Sequence, residues 1–401
     1  MEAEVTRVLV GLDEYVVLDA VEREDGLVVT VAVPRPEAAC PRCGVFSCRV
    51  KQYVTQRVRD GVSFARLTTL VWVKRRFRCD TPGCGPSFTE STVEVPPRAR
   101  LTTRLREAIG RAVRTRNVAE VAAEHRVAWW TAWRAVVIEA AKALAARPVL
   151  PPERLGLDET TFRRPQRFAT GLVDLSSGRL WDLLEGRSKA VVVERFQELG
   201  ADIERIGDVV IDPFAGYKAA ARELVPHARR TADKFHIVRL ANAAVTEVRC
   251  RRQQEITGHR GRSGDPFYAA RRDLLRAREN LTERGWARLG AAFAADPDLD
   301  LECAWVVKEA LRDVYEAADR IDAQVALAEW YEIVEDYHVA ELSRLATTVT
   351  RWETEILNWF DSRLTNGPTE GRNLIIKAVK RSGFGFRNFN NYRLRVLYRC
   401  S

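Results

Sequence analysis

The stretch Leu155-Gly156-Leu157-Asp158-Glu159-Thr160 decides how this chain is read. Its alternating apolar residues predict a short strand, and the strand closes on two acids. Two further runs of strand character follow, Arg167–Leu175 and Arg179–Leu184. Val191, Val192 and Phe196 then predict a helix over about residues 188–200. Asp208-Val209-Val210-Ile211-Asp212 is another apolar run that ends in an acid. A predicted helix, Tyr217–Leu224, and a fifth strand, Arg229–Phe235, complete the segment.

Three strands, a helix, a strand, a helix and a strand is the element order of a ribonuclease-H-like sheet. The acids make that order chemically meaningful. Carboxylates on neighbouring strand ends, joined by a third, can hold two divalent cations about 3.5–4 Å apart for phosphoryl transfer. Carboxylate and water ligands favour Mg2+, with Mn2+ as the substitute. Asp158 and Asp212 are the two strand-end candidates. Glu159 is the weaker choice, because adjacent strand residues face opposite sides of a sheet. The third acid has two candidates. Glu370 lies in Asn366-Gly367-Pro368-Thr369-Glu370-Gly371-Arg372-Asn373, a turn entering a helix, with Lys377 on the same face. Asp233, in Ala232-Asp233-Lys234-Phe235-His236, either competes for the same role or is an additional site residue.

Upstream, Cys40-Pro41-Arg42-Cys43-Gly44 is a tight turn carrying two thiols, and Cys79-Asp80-Thr81-Pro82-Gly83-Cys84-Gly85 is a second. Two such pairs complete a tetrahedral site of four thiolates, so Cys40, Cys43, Cys79 and Cys84 are read as structural Zn2+ ligands. Between them the β-prone run Phe64–Val73 predicts hairpin strands that carry the two turns. A small β segment has little core of its own, and a metal supplies the missing stability. Cys48 lacks a paired partner, and Cys250, Cys303 and Cys400 are read as ordinary buried thiols.

After Pro96-Pro97 the pattern turns helical. Leu101, Leu105, Ile109 and Val113 recur at helical spacing. Asn117–Val127 then reads as a helix and a turn, and Ala128–Val137 as a second helix. That is a helix-turn-helix, a fold that lays its second helix in the DNA major groove. Trp130, Thr131 and Arg134 are expected to face the groove, with Val118, Val121 and Val137 in the core and His125 in the turn.

The chain has 401 residues, 46% hydrophobic and 30% charged, and a net charge of +9. That length predicts several domains, and the composition excludes disordered and fibrous classes. No run of about 18 uncharged apolar residues is present, so no membrane span is expected. The first fifteen residues show no signal-peptide pattern, and eight cysteines over this length do not make a disulfide scaffold. A reduced, cytoplasmic setting is the expectation. The charge is strongly uneven. Residues 40–95 carry 10 Lys/Arg against 4 Asp/Glu, residues 96–147 carry 11 against 4, and residues 371–401 carry 8 against none. Residues 296–361 carry 5 against 17. Three basic segments point to a polyanion, and the acidic block reads as a solvated, helix-rich spacer kept off a phosphate backbone.

Taken together, CPRCG with CDTPGCG, GLDETTFRR, VVIDPFAGYKAA, ADKFHIVR and SRLTNGPTEGRNLIIKAVKRSGFGFRNFNNYRLR resemble the DDE transposases of bacterial insertion sequences, in particular the ISL3 family. The resemblance spans nearly the whole chain. It implies that Asp158, Asp212 and Glu370 are a catalytic triad on a ribonuclease-H-like fold, interrupted by a helical insertion between about residues 237 and 357. The expected domains are a zinc-ribbon segment (1–95), a helix-turn-helix domain (96–148), two parts of the catalytic domain (149–236 and 358–401) and the insertion (237–357).

The activity so implied is metal-dependent cleavage at terminal inverted repeats, followed by attack of a DNA 3′-hydroxyl on target DNA. Lys377, Lys380, Arg381 and Arg387 are expected on phosphates. Joining two ends requires at least a homodimer on double-stranded DNA, in a bacterial, nucleoid-associated setting. Two other readings stay open: a catalytically silent DNA-binding regulator derived from such an enzyme, and a structure-specific nuclease with the same fold.

Overall fold

A computed structural model describes residues 11–401 other than 64, 65, 86, 148, 149, 164, 166 and 199. The first ten residues, read above for a leader, and Phe64-Ala65 of the β-prone run lie outside the described residues. Two units are distinguished. One comprises the chain through Arg147 together with Val379–Arg399, and the other is Pro148–Ala378.

In the first unit, β1 (Val16–Arg23) and β2 (Gly26–Ala32) form a hairpin. β3 (Val50–Ser63) and β4 (Arg66–Arg78) form a longer one, and β5 (Ser87–Thr89) adds to β4. The order is β1-β2-β4-β3, with β2 and β4 parallel. Leu70 and Trp72 alternate inward from β4 and meet Tyr15, Val29, Val31 and Val58 in a small core. Three helices follow: α1 (Thr103–Val113), α2 (Val118–Glu124) and α3 (Trp129–Ala145). Thr102 caps α1 and Asn117 caps α2, each side chain accepting from a first-turn amide. His125 closes α2 as the turn residue.

The second unit is built on β6 (Arg154–Arg163), β7 (Arg167–Asp174), β8 (Arg179–Glu185), β9 (Asp208–Ile211) and β10 (Arg229–Ala232), in the order β8-β7-β6-β9-β10. The β6, β7 and β8 pairings are antiparallel, and β9 runs parallel to both β6 and β10. Helices α4 (Lys189–Gln197) and α5 (Ala215–Leu224) connect the later strands. Two boundaries differ from the sequence reading. The first strand continues past its acids to Arg163, because Thr160, Thr161 and Phe162 suit a strand, and Thr160, Thr161 and Arg163 stay paired with β7 across a register shift at Phe162. The fifth ends at Ala232, where Asp233 opens α6 (Lys234–Thr257).

From α6 onward the chain is helical: α7 (Pro266–Ala270), α8 (Glu283–Ala294), α9 (Asp300–Val314), α10 (Arg320–Tyr337) and α11 (Ala340–Ser362). These helices share one apolar core with the sheet, from Leu155 and Ile211 through Val245 and Leu311 to Phe360. The acidic block is helix-rich and most of its acids are exposed, as expected, but it is more than a spacer because its helices supply part of this core. Several of its acids face inward to neutralise cations: Asp296 meets Arg252 at 2.7 Å, Glu341 meets Arg251 at 2.7 Å, and Glu355 meets Lys218 at 2.6 Å. Burial demands such pairing. Next come α12 (Gly367–Ser382) and α13 (Phe389–Arg399). α13 packs in the first unit, where Tyr398 joins the core of α1 and α3 and donates to Gly110 O at 3.2 Å.

Candidate active site

The parallel pairing of β6, β9 and β10 aligns three acids. Ile211 is the last β9 residue in register, opposite Leu157 on one side and Ala232 on the other. Asp158, Asp212 and Asp233 each follow one of these residues, so they emerge side by side at one level of the sheet. All three are buried. Glu159 turns the other way and pairs with Arg187 at 2.7 Å.

Helix α12 is docked onto this edge by two asparagines to which the sequence reading gave no role. Asn366 Nδ2 donates to Leu157 O at 3.1 Å and to Asp212 Oδ1 at 3.2 Å. The Asn366 amide donates to Asp233 Oδ1 at 2.9 Å, and Thr369 Oγ1 donates to Asn366 Oδ1 at 2.9 Å. Seven residues on, Asn373 Nδ2 donates to Asp158 Oδ2. The approach needs Gly156. A Cβ there would lie 2.5 Å from Thr369 Oγ1 and 2.7 Å from Asn366 Oδ1, inside van der Waals contact.

His236 completes the cluster, its Nδ1 lying 3.1 Å from Asp212 Oδ1 and 3.0 Å from Asp233 Oδ2. It too was missed; its one signal was adjacency to Asp233 in the chain. Burial, followed by the nearby Asp158 and Asp233, pushes the Asp212 carboxyl up to about 9. Asp158, Asp212 and His236 bring their ligand atoms within 4.8 Å of one another. Two carboxylates crowded this closely repel unless a proton or a cation lies between them. The donor set therefore suits a divalent cation.

Glu370 does not join that group. It is exposed on α12, and its carboxylate makes no ion pair among the described residues. Its position is nonetheless specific. Residues 366, 370 and 373 share one helical face, so Glu370 sits between the two asparagines that hold the aspartates. Lys377 continues this face and is exposed, as are Arg381 and Arg387, while Lys380 is half-buried.

At the other end of the chain, β3 begins just after the first cysteine turn and β4 ends just before the second. The hairpin thus returns both turns to one place. Cys40 and Cys84 sulfurs are 3.8 Å apart, Cys43 and Cys79 sulfurs 3.5 Å, and all four lie within 4.8 Å. A tetrahedron with Zn–S bonds of about 2.3 Å places its sulfurs roughly 3.8 Å apart, so the four fit Zn2+. The Cys43 thiol is drawn down to about 6, foremost by the Thr81 hydroxyl 3.3 Å away. Cys48 stays outside the group. The remaining cysteines are not buried: Cys250 is exposed, and Cys303 and Cys400 are intermediate.

In the helix-turn-helix, Val118 and Val121 are buried as expected, but Val137 is exposed and Val136 takes its place in the core. Trp130 and Arg134 are exposed on the same face as Val137, and Thr131 is half-buried.

Three family models match the chain. A transposase model covers residues 155–396, a zinc finger of transposases IS204/IS1001/IS1096/IS1165 covers 36–84, and the helix-turn-helix domain of transposase family ISL3 covers 90–137. The chain is 27% identical to the transposase for insertion sequence element IS1001 of Bordetella parapertussis, over 89% of this chain and 87% of that protein. It is 28% identical to the transposase for insertion sequence element IS1557 of Mycobacterium tuberculosis, over 95% and 92% respectively. The zinc-finger match contains all four clustered cysteines, the helix-turn-helix match contains Trp130 and Arg134, and the transposase match contains the aligned aspartates and Glu370. Residue pattern, geometry and family models agree, and the chain belongs to the ISL3 family of DDE transposases, DNA-binding enzymes of strand cleavage and transfer.

Proposed function

We propose that Asp158, Asp212 and Glu370 are the catalytic carboxylates and that they act on the terminal inverted repeats of the chain's own insertion sequence. The observation that carries this reading is the register that sets Asp158 beside Asp212, with Glu370 between the two asparagines bonded to them. Sheet order, three antiparallel strands followed by two parallel ones, supports a ribonuclease-H-like core. Asp158 and Asp212 would hold Mg2+ (or Mn2+), and Glu370, unpaired and exposed, would turn inward to complete the site. Bound there, the cations supply an activated water and stabilise the leaving oxygen in phosphoryl transfer.

Asn366 and Asn373 keep the carboxylates aimed, and their burial limits stray water. No side chain becomes bonded to DNA, because water and then a DNA 3′-hydroxyl are the nucleophiles. The zinc ribbon and the helix-turn-helix hold the repeats, with Trp130, Thr131 and Arg134 at the groove. Lys377, Lys380, Arg381 and Arg387 contact phosphates. Two ends must meet, so the working form is at least a dimer on DNA. The test uses labelled element ends, a target plasmid and Mg2+. Asp158→Ala and Glu370→Ala should abolish cleavage and strand transfer while keeping DNA binding, and normal activity in either variant defeats the assignment.

A further inference from the structure

The catalytic reading leaves a buried cation unexplained. Arg395 of α13 is 3% exposed, yet no carboxylate pairs with it among the described residues. Its Nη2 donates to Arg116 O at 3.0 Å, and its Nε is buried with no partner at all. Burial lowers the guanidinium to about 10, which leaves it charged at neutral pH. A desolvated, uncompensated charge is costly, and proteins keep one where a ligand will satisfy it.

Arg395 lines a cavity of about 350 Å³ within the first unit. That size is at the small end of ligand pockets, about 300–1,000 Å³. Trp129, Trp133 and Phe386 supply apolar walls, and Asn388 and Asn391 supply amides. Asn388 Oδ1 accepts from the Asn391 amide, which leaves the Asn388 amino group for a ligand. Flat aromatic surfaces, amides and a forked cation are the groups that stack on and hydrogen-bond a nucleobase. Trp129 also opens α3, whose first turn faces base edges in a helix-turn-helix.

At the rim of this cavity, which it also lines, Phe384 is 91% exposed, between Gly383 and Gly385. It is held at φ +52°, a left-handed conformation that a bulky residue adopts only under constraint. Gly383 is required here, since a Cβ would lie 2.7 Å from the Phe386 ring. An apolar ring presented to solvent on a basic segment matches the wedges that part DNA base steps.

We propose that the cavity receives one unpaired nucleotide of the DNA end, and that Phe384 occupies the gap this nucleotide leaves in the duplex. The idea rests on the DNA-end reading above but concerns a separate site.

The experiment uses the full-length protein and two duplexes of one terminal sequence. Each carries 2-aminopurine, paired with thymine in one and unpaired as a single-nucleotide bulge in the other. The unpaired probe should bind roughly tenfold more tightly, in line with the energy of one base–aromatic stack, and its emission should be quenched. Trp129→Ala and Arg395→Met should erase that preference. Phe384→Ala should weaken binding of the paired duplex and spare the unpaired one. Arg395→Met should also raise the melting temperature of the DNA-free protein, whereas a purely structural arginine would lower it. If Arg395→Met does not fold, the structural role stands for that residue, and Trp129→Ala, on a partly exposed side chain, decides the pocket. Equal binding of both probes by the unmodified protein overturns the proposal alone. No binding of either probe overturns the DNA-end reading as well.

Discussion

Asn366 Nδ2 lies 3.2 Å from Asp212 Oδ1, across 154 residues of chain. The residue that starts the Glu370 helix is thus bonded to an aspartate on the central sheet. Asn373 makes the matching contact with Asp158. Together they tie the helix that carries Glu370 to both aspartates as a single mechanical unit.

If that unit aims the metal ligands, removing either amide should loosen it without removing a carboxylate. Asn366→Ala and Asn373→Ala are each expected to weaken Mn2+ binding by about 10–100-fold, the usual cost of losing an outer-shell partner. Titration of the DNA-free protein with Mn2+, followed by electron paramagnetic resonance, measures it. Unchanged affinity in both variants would show that the asparagines serve only to pack α12.

Gly156 makes the same point sterically. In Gly156→Ala the new Cβ meets Thr369 Oγ1 at 2.5 Å and Asn366 Oδ1 at 2.7 Å. Overpacking of this kind costs about 1–3 kcal/mol, and here it must push α12 away from β6. Denaturant unfolding should show the loss, and cleavage should fall by far more than the fraction unfolded. Activity equal to the unmodified enzyme would contradict the close approach.

The raised carboxyl of Asp212 has a calculable sign. An unfolded aspartate titrates near about 3.9. In the folded protein this group titrates at about 9, chiefly through burial. Between those values the folded chain holds a proton that the unfolded chain has lost. Its stabilising contribution is full below the lower value and is lost as pH rises through the upper one. A cation entering the site displaces that proton. Binding of Mg2+ at pH 7.5 is therefore expected to release about one proton per site, read by calorimetry in buffers of different ionisation enthalpy. Asp158→Asn removes a neighbouring negative charge and should reduce the release. Metal binding with no proton release would sink the assignment.

For the ribbon, metal analysis should find one Zn2+ per chain. Cys43→Ser and Cys79→Ser should lose it and destabilise the β3–β4 hairpin, because metal affinity here is folding free energy. Cys48→Ser should keep it, since Cys48 stands outside the sulfur cluster. Zinc content and circular dichroism read both outcomes, and full zinc in Cys79→Ser would exclude this ligand set.

Local features of this protein were legible in the chain alone. Ligand spacing showed the two cysteine turns, helical spacing showed the helix-turn-helix, and apolar runs ending in acids showed Asp158 and Asp212. Each depends on residues a few positions apart, where chain geometry allows little choice. Val137 marks where this stops: periodicity identifies a stripe, but the partner helix decides that Val136 is covered and its neighbour is not. The acidic block shows the same limit, because Asp296, Glu341 and Glu355 find cations from α5 and α6 only once the helices pack.

Residue order alone marked the candidate carboxylates and thiols, and packing in three dimensions sets how they meet. Parallel pairing of β6, β9 and β10 places Asp158, Asp212 and Asp233 at one level, a register that no single strand specifies. Asn366, Asn373 and His236 acquire a role only when α12 and α6 reach that edge, across separations as large as 215 residues. Hydrophobic periodicity encodes which face of an element is buried, while its neighbour is chosen by packing of the whole core.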